Sequence, residues 1–271
     1  GNGATTGSGS TTLAGNWGGG SASAFWGTSA VGTSSTTAAT LTGADTAVFS
    51  ANDGTTPLAT NSLTNYNGNY TVTLGAAQSV AGVVLSGAAT LTGTTGGTLT
   101  LAGTGSPGLT VGAGGITMNG SSGDPTLAAS IGTITLGADQ TWTVNNAHVW
   151  TVNAAVSGNA TAGNTRTWTL GYVNAFTNVY SGIISDGGAG GKLALTLNNT
   201  NGSTGGGTQS ISGTANTYTG KTTITRGILQ VALLANAGSN SSLGAASGSD
   251  SIIDIGSGTN SGSLYVNGSA A

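Results

Sequence analysis

The sequence predicts an all-β protein, an elongated β-solenoid built from short and uneven rungs, and three observations carry that prediction. Charged residues make up 4% of the 271 positions, with seven Asp and no Glu, against about 25% in an average soluble domain. Gly alone fills 51 positions, and together with Thr, Ser and Asn it accounts for more than half of the chain, all residue types that disfavour helix interiors. Yet 37% of residues are hydrophobic and mean hydropathy is +0.13, with Val, Ile, Leu and Trp recurring in alternation, so the chain has material for a core that a disordered Gly/Ser chain lacks.

Residues 1–50 have a texture of their own, with Trp17, Phe25, Trp26 and Phe49 set among Gly, Ser and Thr; they are expected to form an N-terminal cap or junction. The solenoid is expected over 51–271. There a short unit recurs as Thr71-Val72-Thr73-Leu74, Thr98-Leu99-Thr100-Leu101, Thr133-Ile134-Thr135-Leu136, Thr141-Trp142-Thr143-Val144 and Thr167-Trp168-Thr169-Leu170. Strand geometry places Thr on one side and the apolar residues on the other. Burial is therefore expected for Val72, Leu99, Ile134, Trp142, Trp168 and Ile224, with the flanking Thr mostly exposed. Strands this short satisfy their backbone groups only by stacking on copies of themselves, as rungs of a β-helix do. A β-sandwich, also built from short alternating strands with turn signals, remains open at this point.

One segment goes beyond composition. Asn216-Thr217-Tyr218-Thr219-Gly220-Lys221-Thr222-Thr223-Ile224-Thr225-Arg226-Gly227-Ile228-Leu229-Gln230-Val231 resembles the autotransporter-associated β-strand repeat, whose pattern runs N-T-Y-T-G-x-T-T-V-x-x-G-x-L-x-V. The resemblance extends over 209–232, Ser242-Leu243-Gly244 fits the repeat's usual surroundings, and Asp45-Thr46-Ala47-Val48-Phe49 is similar to the opening of large surface proteins that carry it. It implies a right-handed parallel β-helix in a secreted bacterial protein, and a structural, export-associated repeat without catalytic residues. In the residues themselves, Gly220 and Gly227 are expected to take positive φ, with Ile224, Leu229 and Val231 facing inward.

The search for chemistry excludes more than it finds. The Asp residues are scattered, most of them in turn settings such as Gly123-Asp124-Pro125 and Asp186-Gly187, and read as Asx turns. Asp250 and Asp254 are close in sequence, but four residues along a strand is about 13 Å. Glycines lack the Asp of calcium-binding nonapeptides, Cys is absent, and His148 is the single His; no cofactor, metal or enzymatic activity is expected. Arg166, Lys192, Lys221 and Arg226 cannot build a nucleic-acid footprint. No apolar run approaches the roughly 18 residues of a membrane-spanning helix. Trp142, Trp150 and Trp168 all fall on the apolar side and are expected to stack in the core. Thr-x-Thr units recalling ice-binding surfaces begin at uneven intervals, and the β-propensity of outward Thr is the preferred explanation.

The functional expectation is an extracellular structural protein, a solenoid subunit or segment of a bacterial surface fibre or matrix; the chain, opening on Gly1, reads as a processed product or part of something longer. The alternative is an adhesin passenger or glycan-binding module, with surface glycans as partner. End-to-end self-association is expected, because a solenoid ends in unpaired backbone groups unless it is capped or charged. Trp17, Phe25 and Trp26 at one end, and Ile253, Ile255, Leu264 and Val266 at the other, are the candidate interface.

Overall fold

A computed structural model of the chain describes residues 12–17, 43–50, 69–86, 98–119, 124–145, 149–172, 176–200 and 207–268. The described strands follow a spiral. β1 (Thr12–Trp17) and β2 (Thr46–Ser50) come first; β3 (Asn69–Leu74) lies parallel to β1, and the second half of β4 (Gln78–Ser86) parallel to β2. β5 (Leu99–Gly103) stacks on β3, and β6 (Leu109–Asn119) on β4. In the next turn β7 (Thr126–Leu127) stacks on β5, while β8 (Thr133–Leu136) and β9 (Gln140–Val144) stack on the two halves of β6. β10 (Thr151–Val152), β11 (Ala155–Ser157) and β12 (Thr165–Tyr172) repeat that arrangement, as do β13 (Asn178–Tyr180), β14 (Ile184–Ser185) and β15 (Lys192–Asn198). β16 (Thr208–Ile211), β17 (Thr222–Val231), β18 (Asp254–Ile255) and β19 (Gly262–Val266) complete the described ladder.

Each turn of the spiral visits three faces. Face 1 runs from β1 through β3, β5, β7, β10, β13 and β16 to the second half of β17 and β19. Face 2 holds the first halves of β4 and β6, then β8, β11 and β14. Face 3 holds β2, the second halves of β4 and β6, then β9, β12, β15, the first half of β17 and β18. Every ladder between named strands is parallel, which makes the fold a parallel β-helix and removes the β-sandwich, whose sheets are antiparallel.

Inside, period-two alternation works as the residues predict. Leu99, Ile134, Trp142, Trp168 and Ile224 are buried in one continuous core. Val72, near the first described rungs, is only half-buried against that core, which corrects the expectation of full burial. The flanking threonines also differ: Thr133 and Thr141 are exposed, but Thr71, Thr98, Thr135, Thr167 and Thr223 are half-buried. Outward side chains stand about 4.8 Å from their counterparts on adjacent rungs and shield one another. The three tryptophans do stack internally. Trp142 lies 5.5 Å from Trp150 at an interplanar angle of 18° and 4.6 Å from Trp168 at 70°, and Tyr180 closes the cluster against Trp168 at 5.6 Å.

Register explains the uneven sequence intervals. Thr100 pairs with Thr126, Thr126 with Thr151, Thr151 with Val179, Val179 with Ser210, Ser210 with Gln230 and Gln230 with Tyr265, steps of 26, 25, 28, 31, 20 and 35 residues. The ladder is regular while the connections vary. Threonines far apart in sequence therefore form columns on the outside: Thr71, Thr100, Thr126 and Thr151 on face 1, and Thr141, Thr169, Thr196 and Thr223 on face 3. The adjoining column on face 3 passes from Thr117 and Thr143 into Gly171, so the hydroxyls form single files and no two-column lattice.

Candidate functional site

The repeat segment occupies the rung that ends in β17, and its residues explain one another. Asn216, fully buried, accepts at Oδ1 from the Ile184 N–H at 2.8 Å, and its Nδ2 donates to the carbonyls of Ser242 at 2.9 Å and Gly213 at 3.3 Å. One amide thus ties the preceding rung to the loop that follows. Tyr218 is also fully buried, its hydroxyl 2.8 Å from the Thr222 Oγ1, and burial drives its pKa well above the ordinary 10.0. Thr219 donates from its N–H (3.0 Å) and hydroxyl (2.6 Å) to the Asp186 carboxylate, which also accepts from the Leu193 N–H at 2.7 Å.

The two motif glycines have different reasons. Gly227 has φ of 103°, and a Cβ there would stand 2.8 Å from the Asn199 Cβ. It turns one continuous strand from face 3 to face 1, beside a register shift in which Leu197 pairs with Ile224 and Asn198 with Arg226. Gly220 does not have the expected positive φ. Its requirement is space, since a Cβ would lie 2.3 Å from the Leu193 carbonyl oxygen, which accepts the Gly220 N–H at 3.0 Å. Thr222 is buried, Thr223 faces outward half-buried, and Ile224, Leu229 and Val231 point into the core. These residues build and lock a rung.

Asp124 and Asp186, expected in Asx turns, also tie one rung to the next, and Asp139 does the same. Asp124 Oδ1 accepts from the Val149 N–H at 3.0 Å, and Asp139 Oδ1 from the Thr167 N–H at 2.9 Å, with the Arg166 guanidinium 3.9 Å away. Asp250 and Asp254 meet different lysines, Lys192 and Lys221. Among the described residues no three His, Cys, Asp or Glu side chains converge, and His148 lies outside them. No helix among the described residues is long and apolar enough to cross a membrane.

At the end of the described ladder, β18 and β19 each have one paired edge, against β17. Ile252, Ile255, Tyr265 and Val266 are 59%, 50%, 58% and 36% exposed there. Ile253 and Leu264 are half-buried against the last core layer, so of the four C-terminal interface candidates Ile255 and Val266 present the freer surface. At the other end the backbone of Trp17 lies in β1, and Phe25 and Trp26 lie outside the described residues. Sequence reasoning took Asp186 for a turn residue, named Ser242 only among the repeat's surroundings and missed Ser241; only the fold brings them to Thr219 and Asn216.

No curated protein and no solved structure matches the chain. Residues 203–231, which include the strand that closes this rung, match the family described as passenger-associated-transport-repeat.

Proposed function

We propose that the chain is a solenoid segment of an extracellular structural protein, part of a bacterial surface fibre or matrix, and that copies associate end to end. The matched repeat supports secretion or surface display, and the buried, mutually locked character of its residues supports a role in shape over one in chemistry. The observation that carries the assembly is the last described rung. Among the described residues β18 and β19 pair only with β17, beside exposed Ile252, Ile255, Tyr265 and Val266. An edge of this kind recruits another strand, and a different surface on the second copy makes the contact heterologous, the geometry of open filaments. No catalytic activity is assigned.

The test is analytical ultracentrifugation and electron microscopy of the purified chain over a wide concentration range. Mass should grow with concentration and short rods should form, and Ile255→Lys with Tyr265→Lys should return the sample to monomer. A wild-type protein that stays monomeric throughout, or rods unaffected by the two lysines, rejects the assembly.

A further inference from the structure

Face 3 carries, midway along the solenoid, a groove of about 550 Å³ lined by Thr117, Thr141, Thr143, Thr167, Thr169 and Asp139, with Ala113 and Gly114 at its margin. Stacking of β6, β9 and β12 assembles it: Thr117 pairs with Thr143, and Thr141 with Thr169. The result is a set of hydroxyls spaced about 4.8 Å along the axis, from rung to rung, and nearly 7 Å along each strand. None of these five threonine hydroxyls makes a hydrogen bond to another described residue, so each has both a donor and two acceptor sites free. Asp139 is already committed to the Thr167 N–H and faces Arg166, which leaves the groove with a paired charge and an otherwise neutral polar surface. The Thr117 and Thr143 column ends at Gly171, which carries no hydroxyl.

We propose that this groove binds an uncharged polysaccharide lying along the solenoid axis. Free hydroxyls in a trough that crosses rungs match a polymer presenting hydroxyls at a short repeat. The net charge of −3 disfavours a polyanion, and the single acid lining the groove, already facing Arg166, offers a polycation no cluster of acids. The single files of hydroxyl, interrupted at Gly171, fit a chain better than a flat lattice such as ice. No aromatic residue lines the groove, so recognition rests on hydrogen bonds without ring stacking, and the affinity of one copy is modest. This reading is independent of end-to-end assembly, because the groove lies on the side of the solenoid.

Affinity electrophoresis in native gels containing dextran, mannan or starch, with heparin and alginate as charged comparators, tests it. Retardation by at least one neutral polymer is expected. Replacing both hydroxyls in Thr143→Val with Thr169→Val should weaken it about tenfold or more with an unchanged far-ultraviolet circular dichroism spectrum. Thr143→Ser with Thr169→Ser should retain it. No retardation by any neutral polymer, retardation by the charged polymers alone, or full binding by the folded double valine variant would each overturn the site. Assembly is read separately by sedimentation, so either proposal can fail without the other.

Discussion

At the scale of single residues, the repeat rung depends on groups whose loss leaves buried polarity unpaired. Asn216→Ala strands the Ile184 N–H and the Ser242 carbonyl, and an unsatisfied buried group costs about 1 to 3 kcal/mol; urea denaturation should show a loss of about 3 kcal/mol. Gly227→Ala places a Cβ at φ of 103° and 2.8 Å from Asn199, and should cost about 2 kcal/mol or more. The tyrosines add a pH dependence. Burial pushes Tyr172 up to about 12, and Tyr180 and Tyr218 further in the same direction, from an ordinary 10.0. The folded state therefore holds these protons after the unfolded state has released them, so stability is complete below pH 10 and declines above it. Urea midpoints that stay flat from pH 10 to 12, or a decline undiminished in Tyr180→Phe, would contradict this.

At the scale of elements, β9, β12 and β13 carry the aromatic cluster, and Trp168→Ala in β12 should cost about 3 to 5 kcal/mol, read by the same denaturation experiment. Much at this scale was legible. Alternation in Thr141-Trp142-Thr143-Val144 shows which side of β9 faces inward, because strand period alone decides it, and the motif at 216–231 marks one rung. Register was not legible. Nothing local in Asp124 or Asp139 distinguishes a turn-former from an acceptor for an N–H on the next rung, since the partner lies 25 or 28 residues on through a connection of unpredictable length. The groove was hidden for the same reason: its threonines come from three rungs. Gly220 was picked out correctly as necessary but for a different cause, because close backbone approach has no local signature.

At the scale of the whole molecule, each rung contacts mainly its neighbours, so stability is approximately a sum of rung and interface contributions. Local opening should then follow position. Backbone amides in β9, β12 and β15, flanked on both sides and packed on the tryptophans, should exchange hydrogen slowest, and those in β18 and β19, with one paired edge and exposed Ile255 and Val266, fastest. Uniform exchange along the ladder would show the solenoid opening as one cooperative block. The steps between paired residues carry a different consequence. Ser210 reaches Gln230 in 20 residues because β17 bends through Gly227 without any intervening loop, whereas Gln230 reaches Tyr265 only after 35. Where a rung passes from face 3 to face 1 with no loop, its residues keep fixed offsets, and a sequence profile with constant spacing can recognise it. Its neighbours share the same inward geometry with elastic gaps, and kinship among such solenoids will be found by comparing their short inward-facing triplets and ignoring the distances between them.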